Sequence, residues 1–137
     1  PYRKMYMGLY EKLGKILWGL MDNDQKTLIN DSYLDNCSYE YEVYQKKYID
    51  SVDDVKDKDV VILKGLKILD SIYYMINLMG EGMYEYGNGE TTNFDKKETL
   101  NILRKMRVLN NLANLVESNW IKLNAEVDQF IEEVKNV

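Results

Sequence analysis

From 93 to 137 the chain contains neither glycine nor proline, and its apolar residues return at alternating steps of three and four. Met106, Leu109, Ala113, Val116, Trp120, Leu123, Val127, Phe130, Val134 and Val137 form that seam. A half-buried strand would repeat every second residue. This spacing instead keeps apolar side chains on one side of a helix, as in a coiled coil. Leu103, Leu112, Ile121 and Ile131 widen the stripe, so the helix is expected to face more than one neighbour. Thr92 or Asn93 can cap its start, with Asp95 and Glu98 near the positive end of its dipole. Asn110, Asn111, Asn114 and Asn119 are weak helix formers, and any break is expected there.

A second helix is predicted over 52–79, capped by Ser51, because Ser51 to Asp54 resembles a capping box with Asp in place of Glu. Ile62, Leu66, Leu69, Tyr73 and Ile76 share one side of it. Val61, Leu63, Ile68, Ile72 and Met75 occupy others, which predicts the most buried helix of the fold. Gly65 sits inside it at a cost of about 1 kcal/mol relative to Ala, a placement that close approach by a neighbouring helix would explain. Gly80 is expected to end it. At the N-terminus, Tyr6, Leu9, Leu13, Ile16 and Leu20 mark a helix over 2–21, stopped by the turn-forming Asp22, Asn23 and Asp24. A helix over 24–49 follows, weak in its first half and divisible in two with Ser38 capping the second part. The glycines at 80, 82, 87 and 89 mark a long loop over 80–93.

These readings predict a single all-α domain, an up-down bundle of four long amphipathic helices, or five if the last one breaks. The last is the longest. At about 1.5 Å per residue it would outrun the first, so it must either break or project and find a partner. Oligomerisation through this C-terminal helix is one such outcome.

With 137 residues the chain can bury a core without disulfides or metal. Its net charge of −5 argues against general nucleic-acid binding, although Lys96, Lys97, Arg104, Lys105 and Arg107 form a local basic patch. No apolar run is long enough to span a membrane. Abundant Asn, Lys, Asp, Ile and Tyr with a single Pro resemble the usage of AT-rich genomes, parasite and viral ones among them. The first residue is Pro, so the chain is expected to be a fragment or processed form, secreted or at a cell or virion surface; otherwise it is cytoplasmic.

No catalytic machinery is recognisable. Histidine is absent, which removes the Ser-His-Asp and Cys-His arrangements and the common metal sites. Cys37 stands among Asp35, Glu40 and Glu42, a setting that disfavours a thiolate, and is expected to be structural. The acidic run Asp50, Asp53, Asp54, Asp57 and Asp59 lacks the glycine and terminal glutamate of a calcium loop and reads as capping and a solvated face. No catalytic residue, cofactor or metal is therefore assigned, and an enzyme working through carboxylates alone is the least favoured class. Two tyrosine groups stand out among the twelve tyrosines. Tyr39, Tyr41, Tyr44 and Tyr48, near Tyr33, make one face, and Tyr84 and Tyr86 lie in the glycine-rich region. Tyrosine is enriched at interfaces, so these six are the candidate partner-binding residues of a non-enzymatic interaction module.

Trp120, Ile121, Asn124, Asp128, Phe130 and Glu132 fall in a pattern that resembles the BH2 segment of Bcl-2 apoptosis regulators, although Ala125-Glu126-Val127 replaces its Gly-Gly-Trp centre. The resemblance implies an all-α fold with a buried central helix, in the manner of the divergent viral members, and a groove that takes BH3-type helices.

Overall fold

A computed structural model describes residues 2–34, 40–86 and 96–137, with the side chains of 31–34, 40, 81–86, 96–99 and 102 outside the described set. The fold is all-α: α1 (Tyr2–Leu20), α2 (Asn23–Leu34), α3 (Glu40–Gln45) continued by a π-helical turn (Lys46–Asp50), α4 (Asp57–Tyr86) and α5 (Lys96–Val134). Among the described residues there is no strand.

α4 is the centre of the bundle and packs most extensively against α5 and α1. Leu17 and Phe130 converge on Gly65, Tyr10 stacks toward Tyr73 at 6.0 Å, and the Asn119 amide reaches Met75 Sδ at 3.6 Å. Ascending α4 thus means descending both α1 and α5, so α4 runs antiparallel to each. The approach expected at Gly65 is present. An added Cβ would stand 2.5 Å from Leu17 Cδ2 and 2.8 Å from the Phe130 ring, so only glycine lets three helices meet there.

The core follows the predicted stripes in part: Ile16, Leu20, Leu69 and Ile76 are only partly buried and Tyr73 is exposed, whereas Leu17 takes a core position. Tyr6, Leu9, Leu13 and Leu17 of α1 are buried against Ile62, Leu66, Ile72 and Met75 of α4 and Val116, Leu123, Val127 and Phe130 of α5. Tyr6 ties the first helix to the last. Its hydroxyl donates to the Val116 carbonyl at 2.6 Å, and its ring meets Trp120 edge-on at 5.2 Å.

Three local expectations are corrected. Ser51 does not start α4. Its hydroxyl donates to the carbonyls of Lys46 and Lys47 at 2.7 and 3.0 Å, closing the π-helical turn instead. α4 begins six positions later at Asp57, because Val52, Asp53 and Asp54 are exposed and have no packing to stabilise a helical turn. Nor does Gly80 end α4, which continues to Tyr86. Met75 and Met79 are still buried one turn earlier, and that packing outweighs the weak propensity of one glycine. The 80–93 loop therefore loses 80–86 to helix, and its remainder lies outside the described residues, as do Ser38, Thr92 and Asn93. The helix expected over 24–49 takes its divided form, as α2, α3 and the π-helical turn, and α5 takes the unbroken alternative through all four asparagines. α5 has 39 residues against 19 in α1, about 58 Å against about 28 Å.

Candidate functional site

Two regions carry the residues of interest, one closed and one open. The closed region is a polar knot where α2, α3 and the start of α4 meet. It begins with a capping box. The Gln25 amide donates to Asp22 Oδ1 at 2.9 Å, and the Asp22 amide donates to Gln25 Oε1 at 3.1 Å, so each satisfies an orphan group at the start of α2. That reciprocal bond holds the Gln25 side chain inward, where Nε2 donates to Asp59 Oδ1 at 2.7 Å and to the Tyr44 hydroxyl at 3.0 Å. Tyr44 in turn donates to Asp59 Oδ1 at 3.2 Å. All three side chains are buried, and every polar atom of the Gln25 amide has a partner.

This electrostatic setting holds protons. Burial, then the charge of Asp59 and the bond to it, push the Tyr44 hydroxyl far above its ordinary range, so it remains a donor. Burial, then the charges of Asp22, Asp24 and Asp59, push Tyr48 up as well. Tyr48 packs its ring 4.9 Å from that of Tyr44, and its buried hydroxyl has no partner among the described residues. Hydroxyls tuned this way do not exchange protons near neutrality. The knot is chemically suited to fixing α2 and α3 on α4.

The tyrosines singled out in the sequence therefore separate. Tyr44 is fully buried, not a surface residue, because its hydroxyl has a carboxylate partner inside. Tyr41 and Tyr48 are partly buried against the same core. Tyr39 and Cys37 lie outside the described residues, and Tyr84 and Tyr86 lie on the last turns of α4 with their side chains outside the described set. Of the acidic run, Asp50, Asp53, Asp54 and Asp57 are exposed as expected, whereas Asp59 turns inward. No group of residues suited to a metal ion occurs among the described residues.

The open region is the far end of the bundle. α1 begins at Tyr2, one turn beyond the level of Val116 where Tyr6 docks on α5. Beyond it, the last turns of α4 and the first turns of α5 continue without α1. Leu100 (49% exposed), Leu103 (56%) and Met106 (60%) stand in solvent on α5 there. Arg104, Lys105 and Arg107 lie on the same turns of α5 and are exposed. Leu109 and Leu112, on the side toward α4, are partly covered. The upper part of the predicted seam thus has apolar residues but no complete cover.

A third feature is an open groove of about 530 Å³ between α4 and α5 at the packed end. Ile68, Ala125 and Phe130 provide its apolar lining, and Lys64, Lys67, Lys122, Glu126 and Glu133 its rim. Lys64 and Glu133 bridge across it at 3.3 Å. α5 passes straight through the segment that resembles BH2.

No helix of the described residues is long and apolar enough to cross a membrane. The chain matches no protein-family model, no curated protein and no solved structure.

The exposed stripe at 100–106 was only indirectly legible. The excess length of the last helix implies a projecting end, but no local pattern marks which of its turns stay uncovered. The capping spacing from Asp22 to Gln25 was present in the sequence. The inward turn of Asp59 carried no signal, because it sits in a run of similar, solvated residues.

Proposed function

We propose that this chain is a non-enzymatic helical-bundle module that binds a protein partner, and that its binding surface is the open end of α4 and α5. The observation that carries this reading is the run Leu100, Leu103 and Met106, apolar and about half exposed on a helix whose other half is buried. Neighbouring exposed apolar side chains of this kind mark interaction sites. The total surface supports it: the chain exposes 9780 Å², whereas a compact protein of 16.2 kDa exposes about 7,500 Å². The difference exceeds the roughly 800 Å² that a standard interface covers on each partner. Tyr84 and Tyr86, on the last turns of α4, belong to the same end of the bundle.

The test is site-specific photo-crosslinking in the cells that make the protein. A crosslinker in place of Leu103 or Met106 should give a discrete protein adduct, and one at Asp53, exposed at the opposite end, should not. Absence of any adduct from the open end would remove this reading.

A Bcl-2-like regulator is the second reading, favoured by the groove in which Ala125 and Phe130 of the BH2-like segment lie. Titrating a BH3-type peptide into the pure chain distinguishes it. Saturable binding that disappears in Ala125→Trp supports this reading, and no binding eliminates it.

A further inference from the structure

We propose that Ser51 is a phosphorylation site for a protein kinase that recognises acidic flanks, and that the added phosphate releases the π-helical turn Lys46–Asp50 from its cap. The site does not depend on the interaction surface proposed above. Ser51 opens the stretch 51–56, which forms neither helix nor strand and joins the π-helical turn to α4. Ser51, Val52, Asp53, Asp54 and Lys56 are exposed. A kinase takes its substrate as an open segment laid across its cleft, so the place of a hydroxyl in the fold decides whether it can be reached. Thr27, Ser71 and Ser118 do not meet that requirement. Each lies inside a helix and donates to a carbonyl three or four positions back. The flanks of Ser51 set the class of kinase. From Tyr48 to Asp54 they hold Asp50, Asp53 and Asp54 and no cation, so the complementary cleft is basic.

The hydroxyl that would be modified has a structural task. It shares its one proton between the Lys46 and Lys47 carbonyls, at 2.7 and 3.0 Å, and so closes a π-helical turn, a rare form that occurs frequently at functional sites. Phosphoryl transfer joins Ser51 Oγ to the γ-phosphorus of a nucleoside triphosphate and breaks the bond from that phosphorus to the β-phosphate. The hydroxyl proton passes to the base of the kinase, and a nucleoside diphosphate leaves. The product offers neither carbonyl a donor, and it sets about two negative charges at the negative end of the turn. Lys46, Lys47 and Lys56 are near in the chain, but Asp50, Asp53, Asp54 and Asp57 offset them, so attraction does not replace the lost donor. The turn carries Tyr48 and continues directly from Tyr44, which is bonded to Asp59. Uncapping it therefore loosens the attachment of α3 to α4.

The protein isolated from the cells that make it, with phosphatases inhibited, should carry phosphate on Ser51 when its peptides are mapped by mass spectrometry. Casein kinase II and ATP, used as the acid-directed probe, should modify Ser51 in the folded chain. The double variant Asp53→Asn and Asp54→Asn should be modified about tenfold more slowly, with unchanged helical circular dichroism because both side chains are exposed. Amide exchange at 44–50 should be about tenfold faster in the modified chain than in the parent, and unchanged at 120–130. Ser51→Ala, which removes the donor and adds no charge, should give a smaller acceleration at 44–50. Native protein with Ser51 bare, or phosphate added to Ser71 or Ser118 in preference, would overturn the site. Equal rates for the parent and the double variant would overturn the acidic recognition. Unchanged or slower exchange at 44–50 after modification would overturn the release.

Discussion

Gly65 and Gly80 are the same residue on the same helix with opposite consequences. At Gly65 a methyl group would press on Leu17 and on the edge of the Phe130 ring, which is held in the core. Gly65→Ala is expected to lower stability by about 1–3 kcal/mol, because overpacking outweighs the roughly 1 kcal/mol gained in helix propensity. At Gly80 an added Cβ meets nothing within 4 Å, so Gly80→Ala should raise stability by about 0.5–1 kcal/mol. Urea unfolding of the two variants, read side by side, checks both signs. Asp70 gives a residue-scale pH effect. Burial first, and then the Glu42 carboxylate, push its carboxyl above the ordinary range. The folded chain thus holds this proton more tightly than the unfolded one, so the fold is penalised above the raised value and is not penalised below the ordinary one. Asp70→Asn should therefore raise the thermal midpoint at pH 7. The gain should shrink as pH falls into the carboxylate range, and an equal gain at all pH values would refute the cause.

Among the elements, α5 is one helix with two kinds of support. From Val116 to Phe130 it is held by α4 and α1, while its first turns have little covering them. Helical stability in proteins comes mostly from such packing. Amide exchange is therefore expected to be at least about tenfold faster at 100–110 than at 120–130, within one unbroken helix. Equal protection in both halves would show that the far end is already covered. What could be read in the sequence divides along the same line. The 3–4 spacing is a property of local chain geometry, and it located α1, the body of α4 and α5, together with the crowded glycine. The ends of α4 could not be read that way. Whether Ser51 caps forward or backward, and whether Gly80 stops a helix, depend on packing across elements that no local pattern records. Tyr44 was mistaken for surface for the same reason: its burial depends on Gln25 and Asp59, 19 and 15 positions away.

At the scale of the molecule, three tyrosine hydroxyls couple the fold to alkali. Burial, then the nearby Tyr2, raises Tyr6 from 10.0 to about 12, and Tyr44 and Tyr48 are raised too. The unfolded chain loses these protons at the ordinary value and the folded chain only later. Stability is intact below pH 10 and declines as pH rises toward 12. Tyrosinate absorbance should therefore rise together with loss of helical circular dichroism. Tyr6→Phe should cost about 1 kcal/mol at neutral pH by deleting the bond to Val116, yet make the alkaline decline shallower. That bond joins positions 110 residues apart. During synthesis at about 5–20 residues per second, the first helix must wait roughly 5–20 s for the segment that receives Tyr6. Throughout that interval the side of α1 carrying Tyr6, Leu9 and Leu13 has α4 at most for company. A chain built this way emerges with α1 unfinished, and chaperones meet that helix before α5 does.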